Sequence, residues 1–277
     1  MKKLSSFLFF LLPATLCGLF AQTLPASRSP LLTSVRTDTT LFPRYRFTTI
    51  GIGSATLRDP LLSPLRYQGT AVNLEISHHK YRPRFLTQGS FSYNQTTYLN
   101  DFTKSSLLEI GLSYKYAMLK QTNFAWLNSK LWLGGYGESS INFRVAEGNV
   151  NNVLAYDGLL SFGVTGLITK QFNFLNREFV LTNQSSLPLY SFVVRPPYAW
   201  SFIYTDSLAP ANGFWNVYFN FQNRFMLDFY GNVYHKRKKI GKDAWRVTLF
   251  YSYARIPQLN NVVSSSSLIM FGRIVKF

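Results

Sequence analysis

The chain has 277 residues, 47% of them hydrophobic and 17% aromatic, with 25 Phe, 17 Tyr and a formal charge of +17. Its single cysteine, Cys17, excludes an internal disulfide and a cysteine-based metal cluster. Mean hydropathy is −0.01, and no stretch beyond the first residues approaches the roughly 20 apolar residues that cross a bilayer as a helix.

Residues 1–21 have the pattern of a secretory signal. Lys2 and Lys3 supply the charge, Phe7 to Leu12 the apolar stretch, and Ala21 before Gln22 a cleavage point. Leu16 precedes Cys17 where a lipid-anchor site wants a small residue, so a lipoprotein is the lesser alternative. Export argues against nucleic acid as the partner of the positive charge. Residues 22–44, with Pro25, Pro30 and Pro43, read as an irregular periplasmic lead-in or a small plug. Residues 45–277 then form one domain.

In that domain helical periodicity is absent and period-two alternation recurs. Leu108, Ile110, Leu112, Tyr114, Tyr116 and Met118 alternate with Glu109, Gly111, Ser113, Lys115 and Ala117. Trp245, Val247, Leu249, Tyr251 and Tyr253 alternate with Arg246, Thr248, Phe250, Ser252 and Ala254. A strand sends successive side chains to opposite faces, so one set can meet lipid while the other lines a lumen. Ten segments follow: 45–56, 67–78, 84–98, 105–119, 126–140, 153–169, 177–193, 216–233, 243–256 and 264–277. Pro188 disturbs the seventh, because proline cannot donate a ladder hydrogen bond. The expected fold is all-β, a transmembrane antiparallel up-and-down β-barrel of about ten strands, with eight or twelve as alternatives. A soluble lipocalin-like barrel or β-sandwich also alternates, but would place its apolar face inward.

An even count brings both termini to one side, the periplasm. The periplasmic connections are then His78–Arg84, Lys120–Ala125, Gln171–Arg177 and His235–Lys242. The external ones are Arg58–Arg66, Tyr98–Lys104, Arg144–Asn152, Arg195–Trp215 and Ile256–Asn261. The longest connection falls in the external set, as in barrels of this kind.

Charged residues on the lumen faces are the candidate functional groups: Glu75, Glu109, Lys115, Lys130, Glu138, Asp157, Arg224, Asp228 and Arg246. They can act as a general acid and base or a selectivity ring. The favoured reading is a salt-bridge network filling a narrow lumen, since unpaired charges there are costly. The three histidines, His78, His79 and His235, fall at the periplasmic turns. His78 and His79 point to opposite faces of a strand, so they make no metal site. No catalytic, cofactor or metal residue is assigned, and no cofactor is expected. The run His235 to Lys239 is a hairpin turn whose lysines can meet anionic headgroups. Tyr198, Trp200, Tyr204 and Trp215 on the long loop form either an external binding surface or a cover for the barrel mouth.

Gly272, Val275 and Phe277 resemble the closing signal read by outer-membrane insertion machinery. That machinery and outer-membrane lipids are therefore the expected partners. Asp59 to Gly69 (DPLLSPLRYQG) is similar to a "YLSPL-x-Y-x-G" signature, with Leu61 in place of the tyrosine. Phe179-Val180-Leu181, Leu187-Pro188-Leu189, Pro196-Pro197-Tyr198 and the closing strand Phe271 to Phe277 look like further blocks of the same group. The chain thus resembles a family of uncharacterised bacterial outer-membrane β-barrel proteins. The resemblance implies fold and location and carries over no functional residue. The expected role is a non-enzymatic outer-membrane barrel, structural or binding, or a narrow passive pore. The alternatives are an outer-membrane hydrolase or acyltransferase acting on surface lipid or peptide, which needs a histidine near the outer rim, and a soluble secreted β-sandwich binding protein.

Overall fold

A computed structural model describes residues 44–60, 62–126, 129–146, 154–174, 177–195, 212–216, 219–235, 238–256 and 262–276. The expected signal and lead-in, up to residue 43, lie outside the described residues. The strands are β1 (Arg44–Asp59), β2 (Ser63–Tyr81), β3 (Phe85–Leu99), β4 (Ser106–Trp126), β5 (Ser129–Ala146), β6 (Leu154–Phe174), β7 (Arg177–Arg195), β8 (Asn212–Asn216), β9 (Phe219–His235), β10 (Lys238–Ile256) and β11 (Val262–Lys276).

All neighbours pair antiparallel, and β1 pairs with β11, so the sheet closes. β8 and β9 both pair with β7, one after the other. They form a single interrupted line, and the ring holds ten strands. The first and last strands meet at Tyr45 and Lys276. That end of the barrel is called the terminal end below, and the opposite end the distal end.

The register fixes the girth. Partners can be followed once around the ring: Tyr81, Leu86, Leu119, Gly134, Thr165, Ser186, Gln222, Ser252, Ser266, Ala55 and Gly69. The walk leaves β2 at Tyr81 and returns to it at Gly69, a stagger of 81 − 69 = 12 residues. With ordinary strand spacings, ten strands and this stagger give a tilt of about 40° and a radius of about 10 Å. A lumen this wide can be bridged by side chains from opposite walls.

Outward positions are largely apolar. Ile50, Ile52, Leu74, Phe91, Tyr114, Met118, Phe162, Val164, Trp245, Leu249 and Phe271 are all exposed. Inward positions are largely polar, including the buried Thr49, Asn73, Glu75, Ser92, Thr96, Asp157, Ser161, Thr165, Asp228 and Thr248. This polarity is the reverse of a soluble β-sandwich and rules that alternative out. Exposed or half-exposed cations (Arg44, Arg46, Lys80, Lys120, Lys170, Arg177, Arg273) ring the outer wall at the terminal end, where an apolar belt gives way to headgroups.

Pro188 disturbs β7 as expected, through a bulge. Tyr190 faces Phe162 and Pro188 faces Gly163, leaving Leu189 as the extra residue. Leu189 and Tyr190 are consecutive yet both exposed, and past them the inward parity switches from even to odd. Glycine is required opposite: a Cβ on Gly163 would lie 2.3 Å from the Leu187 carbonyl oxygen and 2.6 Å from Pro188 Cα.

Candidate functional site

The candidate site is the lumen, where polar side chains gather in three tiers. The distal tier is a five-residue charge cluster. Arg144 on β5 donates from Nε to Glu109 of β4 at 2.6 Å, and from Nη1 to Asp59 of β1 at 3.1 Å and to Asp157 of β6. Arg195, at the end of β7, reaches Asp157 at 3.1 Å and also Asp59. Arg195 is 0% exposed and Asp59 1%. β1 stands opposite β6 in the ring, so Asp59 joins opposite walls.

Local structure brings Asp59 inward. The β1–β2 register shifts between Arg58 and Asp59. The Asp59 carbonyl accepts a hydrogen bond from the Leu62 amide at 3.0 Å, closing a tight turn. Leu62 is buried with Leu57, Tyr67, Tyr98 and Leu107. Asp59 and Leu62 thus both sit in the barrel mouth instead of standing away from it.

The middle tier also crosses the lumen. Lys115 donates to Gln222 at 2.8 Å, and its ammonium lies 3.9 Å from Glu138 and 4.1 Å from the centre of the Tyr136 ring. Gln222 in turn donates to Glu138 at 3.2 Å. Arg224 donates to Glu75 at 2.6 Å, and Gln184 to Gln88 at 3.0 Å. The strand pairs β4–β9, β2–β9 and β3–β7 behind these bridges are each four places apart around the ring of ten. Between this tier and the distal cluster lies a cavity of about 190 Å³, lined by groups such as Asn73, Asn94, Thr96, Ser140 and Asn142. Its polar lining suits water.

The terminal tier is aromatic. Asp228 and Arg246 face each other on adjacent strands and form a two-pronged pair at 2.6 and 2.8 Å. The Arg246 guanidinium lies 3.8 Å from the Phe47 ring centre, a cation–π contact. Tyr45 meets Tyr81 edge-on at 5.8 Å, and Tyr81 meets Trp132 at 6.3 Å.

Of the nine expected lumen charges, Glu75, Glu109, Lys115, Glu138, Asp157, Arg224, Asp228 and Arg246 all join these ion pairs. Lys130 shares the inward face, but at the partly exposed terminal rim, and makes no ion pair among the described residues. Asp59, Arg144 and Arg195 were expected in connections. They are instead strand residues facing inward. For Asp59 and Arg144, extending the alternation by a turn or two of the pleat would have shown it, since they share parity with Leu57 and Asn142. Arg195 was hidden by the bulge. The expected turn position of His79 is also corrected: β2 runs on to Tyr81, and His79 is buried in the lumen, its ring 4.4 Å from that of Phe47. His78 faces outward. The side chains of His235, Tyr198, Trp200, Tyr204 and Trp215 lie outside the described residues.

A family model described as "Protein of unknown function (DUF3316)" matches residues 8–267. No curated protein matches the chain. Similar solved structures include the transport unit of the autotransporter AIDA-I from Escherichia coli, at 8% identity over 95% of this chain and 96% of that one, TM-score 0.45. The outer membrane protease OmpT from Escherichia coli shares 9% identity over 87% of this chain and 100% of that one, TM-score 0.43. The translocator domain of the autotransporter NalP from Neisseria meningitidis shares 8% identity over 85% and 90%, TM-score 0.39.

Proposed function

The chain belongs to the DUF3316 family, and we propose that this protein is a non-enzymatic outer-membrane β-barrel that rests closed, serving as a structural or binding element and not as an open pore. The observation that carries the proposal is the set of side-chain bridges between opposite walls, above all Asp59 with Arg144 and Arg195. Freeing such buried charges costs several kcal/mol each, so thermal motion does not open the lumen. The lumen carboxylates Asp59, Glu75, Glu109, Glu138, Asp157 and Asp228 are each held by a lysine or arginine, which supports a structural role for them over a catalytic one.

Both termini are periplasmic in this proposal, because the long connection after Arg195 leaves from the distal end and barrels of this type keep long loops outside. Lipid is the surrounding partner, and the insertion machinery engages the chain during assembly.

Planar-bilayer recording of the purified full chain tests the closed state. Brief, rare steps are expected, and a steady open level in the wild type would overturn the proposal. Orientation is read by whole-cell labelling with an impermeant maleimide. Thr103→Cys, in the β3–β4 hairpin, reacts on intact cells, whereas Arg82→Cys, in the β2–β3 hairpin, reacts only after lysis. The opposite pattern would reverse the topology.

A further inference from the structure

The apolar belt is not the same height all round. On β4 the outward face is Lys120 at the terminal rim, then Met118, Tyr116, Tyr114, Leu112, Ile110 and Leu108. On β2 it is Lys80, His78, Ile76, Leu74 and Val72, and then it turns polar. The two lysines sit at similar levels, since Lys80 pairs with Thr87 of β3, and Phe85 of β3 pairs with Lys120. Eight residues separate Lys80 from Val72, and twelve separate Lys120 from Leu108. At about 2.5 Å of axial rise per tilted residue, the belt on the β2 wall ends about 10 Å short.

Hydroxyls and an amide occupy the missing height. Ser267, Ser54 and Thr70 form one outward row across β11, β1 and β2. Ser265, Thr56 and Gln68 form the next. Thr56 and Ser265 bond one another at 2.8 Å. Hydrocarbon cannot satisfy such groups, so a row of them at lipid depth needs a polar occupant.

Above the band stands a cationic rim. Arg58 and Arg66 are exposed and directly opposed across β1 and β2. Like charges in that position repel, and neither makes an ion pair with a described residue. Arg255 is exposed two strands from Arg58, on the far side of their shared neighbour Val263. Strand spacing puts this second cationic point about 10 Å from the first. An anion seated between Arg58 and Arg66 turns repulsion into charge-assisted hydrogen bonds, the geometry in which guanidinium binds phosphate.

We propose that the outer wall of β11, β1 and β2 is a binding site for an anionic glycolipid bearing two phosphates on a sugar headgroup. The phosphates engage Arg58 with Arg66 and, about 10 Å away, Arg255. The hydroxyls and linkage carbonyls beneath them meet the Ser–Thr–Gln band. A single phospholipid carries one phosphate and fills only part of a band three strands wide. The proposal rests on the barrel lying in a membrane with its distal end outward.

The test uses the full chain purified in neutral detergent, with folding verified by its heat-dependent mobility in gel electrophoresis. Binding is measured by native mass spectrometry against a bisphosphorylated disaccharide lipid, its dephosphorylated form and phosphatidylglycerol. The expected result is a preference of about tenfold or more for the bisphosphorylated lipid, lost in the double variant Arg58→Gln/Arg66→Gln and retained in Lys120→Gln/Lys170→Gln. Equal binding of phosphatidylglycerol, or retained preference in the arginine variant, would overturn the site. So would a disulfide-linked dimer formed efficiently by Ser54→Cys or Ser267→Cys in native membranes, which would make a second copy the occupant. Failure of the underlying membrane reading looks different: the wild type would leave the membrane in a carbonate wash.

Discussion

The two ends of the lumen are closed by different chemistry. The distal end is held by five charged groups on five strands, Asp59, Glu109, Arg144, Asp157 and Arg195. The terminal end is held by packed rings, Phe47, Tyr81 and Trp132 among them, around one charge pair, Asp228 with Arg246. A charge cluster is directional and intolerant, because removing one member leaves the others buried without their counter-charge. An aromatic layer depends on area and shape, so damage to it leaves a cavity without freeing charges. The two ends should therefore fail in different ways.

Arg144→Ala gives the largest expected effect. It leaves three carboxylates facing Arg195 alone, and should lower stability by about 3–5 kcal/mol, read by urea unfolding of the barrel in detergent. It should also raise the open time in bilayer recordings. A loss below about 1 kcal/mol would mean that water already solvates the cluster. Trp132→Ala should cost about 3 kcal/mol by the same measurement. Here the recordings should stay closed, since the distal tier is intact; long openings would show that the rings, not the charges, are the barrier. Asp228→Asn should cost about 2 kcal/mol, because the amide keeps one hydrogen bond to Arg246 and Phe47 still covers the guanidinium. The smallest effect is that of salt. Raising sodium chloride from about 0.1 M to about 1 M should leave the unfolding midpoint of the wild type almost unchanged, as buried pairs are little screened. A marked drop would place the distal cluster in contact with bulk water.

Much of this lumen was legible because a strand reports its faces every second residue. Eight of the nine charges picked by parity do form ion pairs. The failures have two causes. His79, Asp59 and Arg144 lie where the alternation was cut off too early, at strand ends that continue past the lipid. Arg195 lies beyond the bulge at Leu189 and Tyr190, which reverses parity, and a residue count along the chain cannot register such a reversal.

Sequence alone determined that this chain alternates in about ten segments and, along each uninterrupted strand, which side chains share a face, because both follow from the two-residue repeat of an extended backbone. Tertiary structure decided which charges meet. Asp59 and Arg195 are 136 residues apart and come together only when the sheet closes with its twelve-residue stagger. It also decided that the apolar belt ends lower on β2 than on β4, since comparing heights on separate strands requires the register between them.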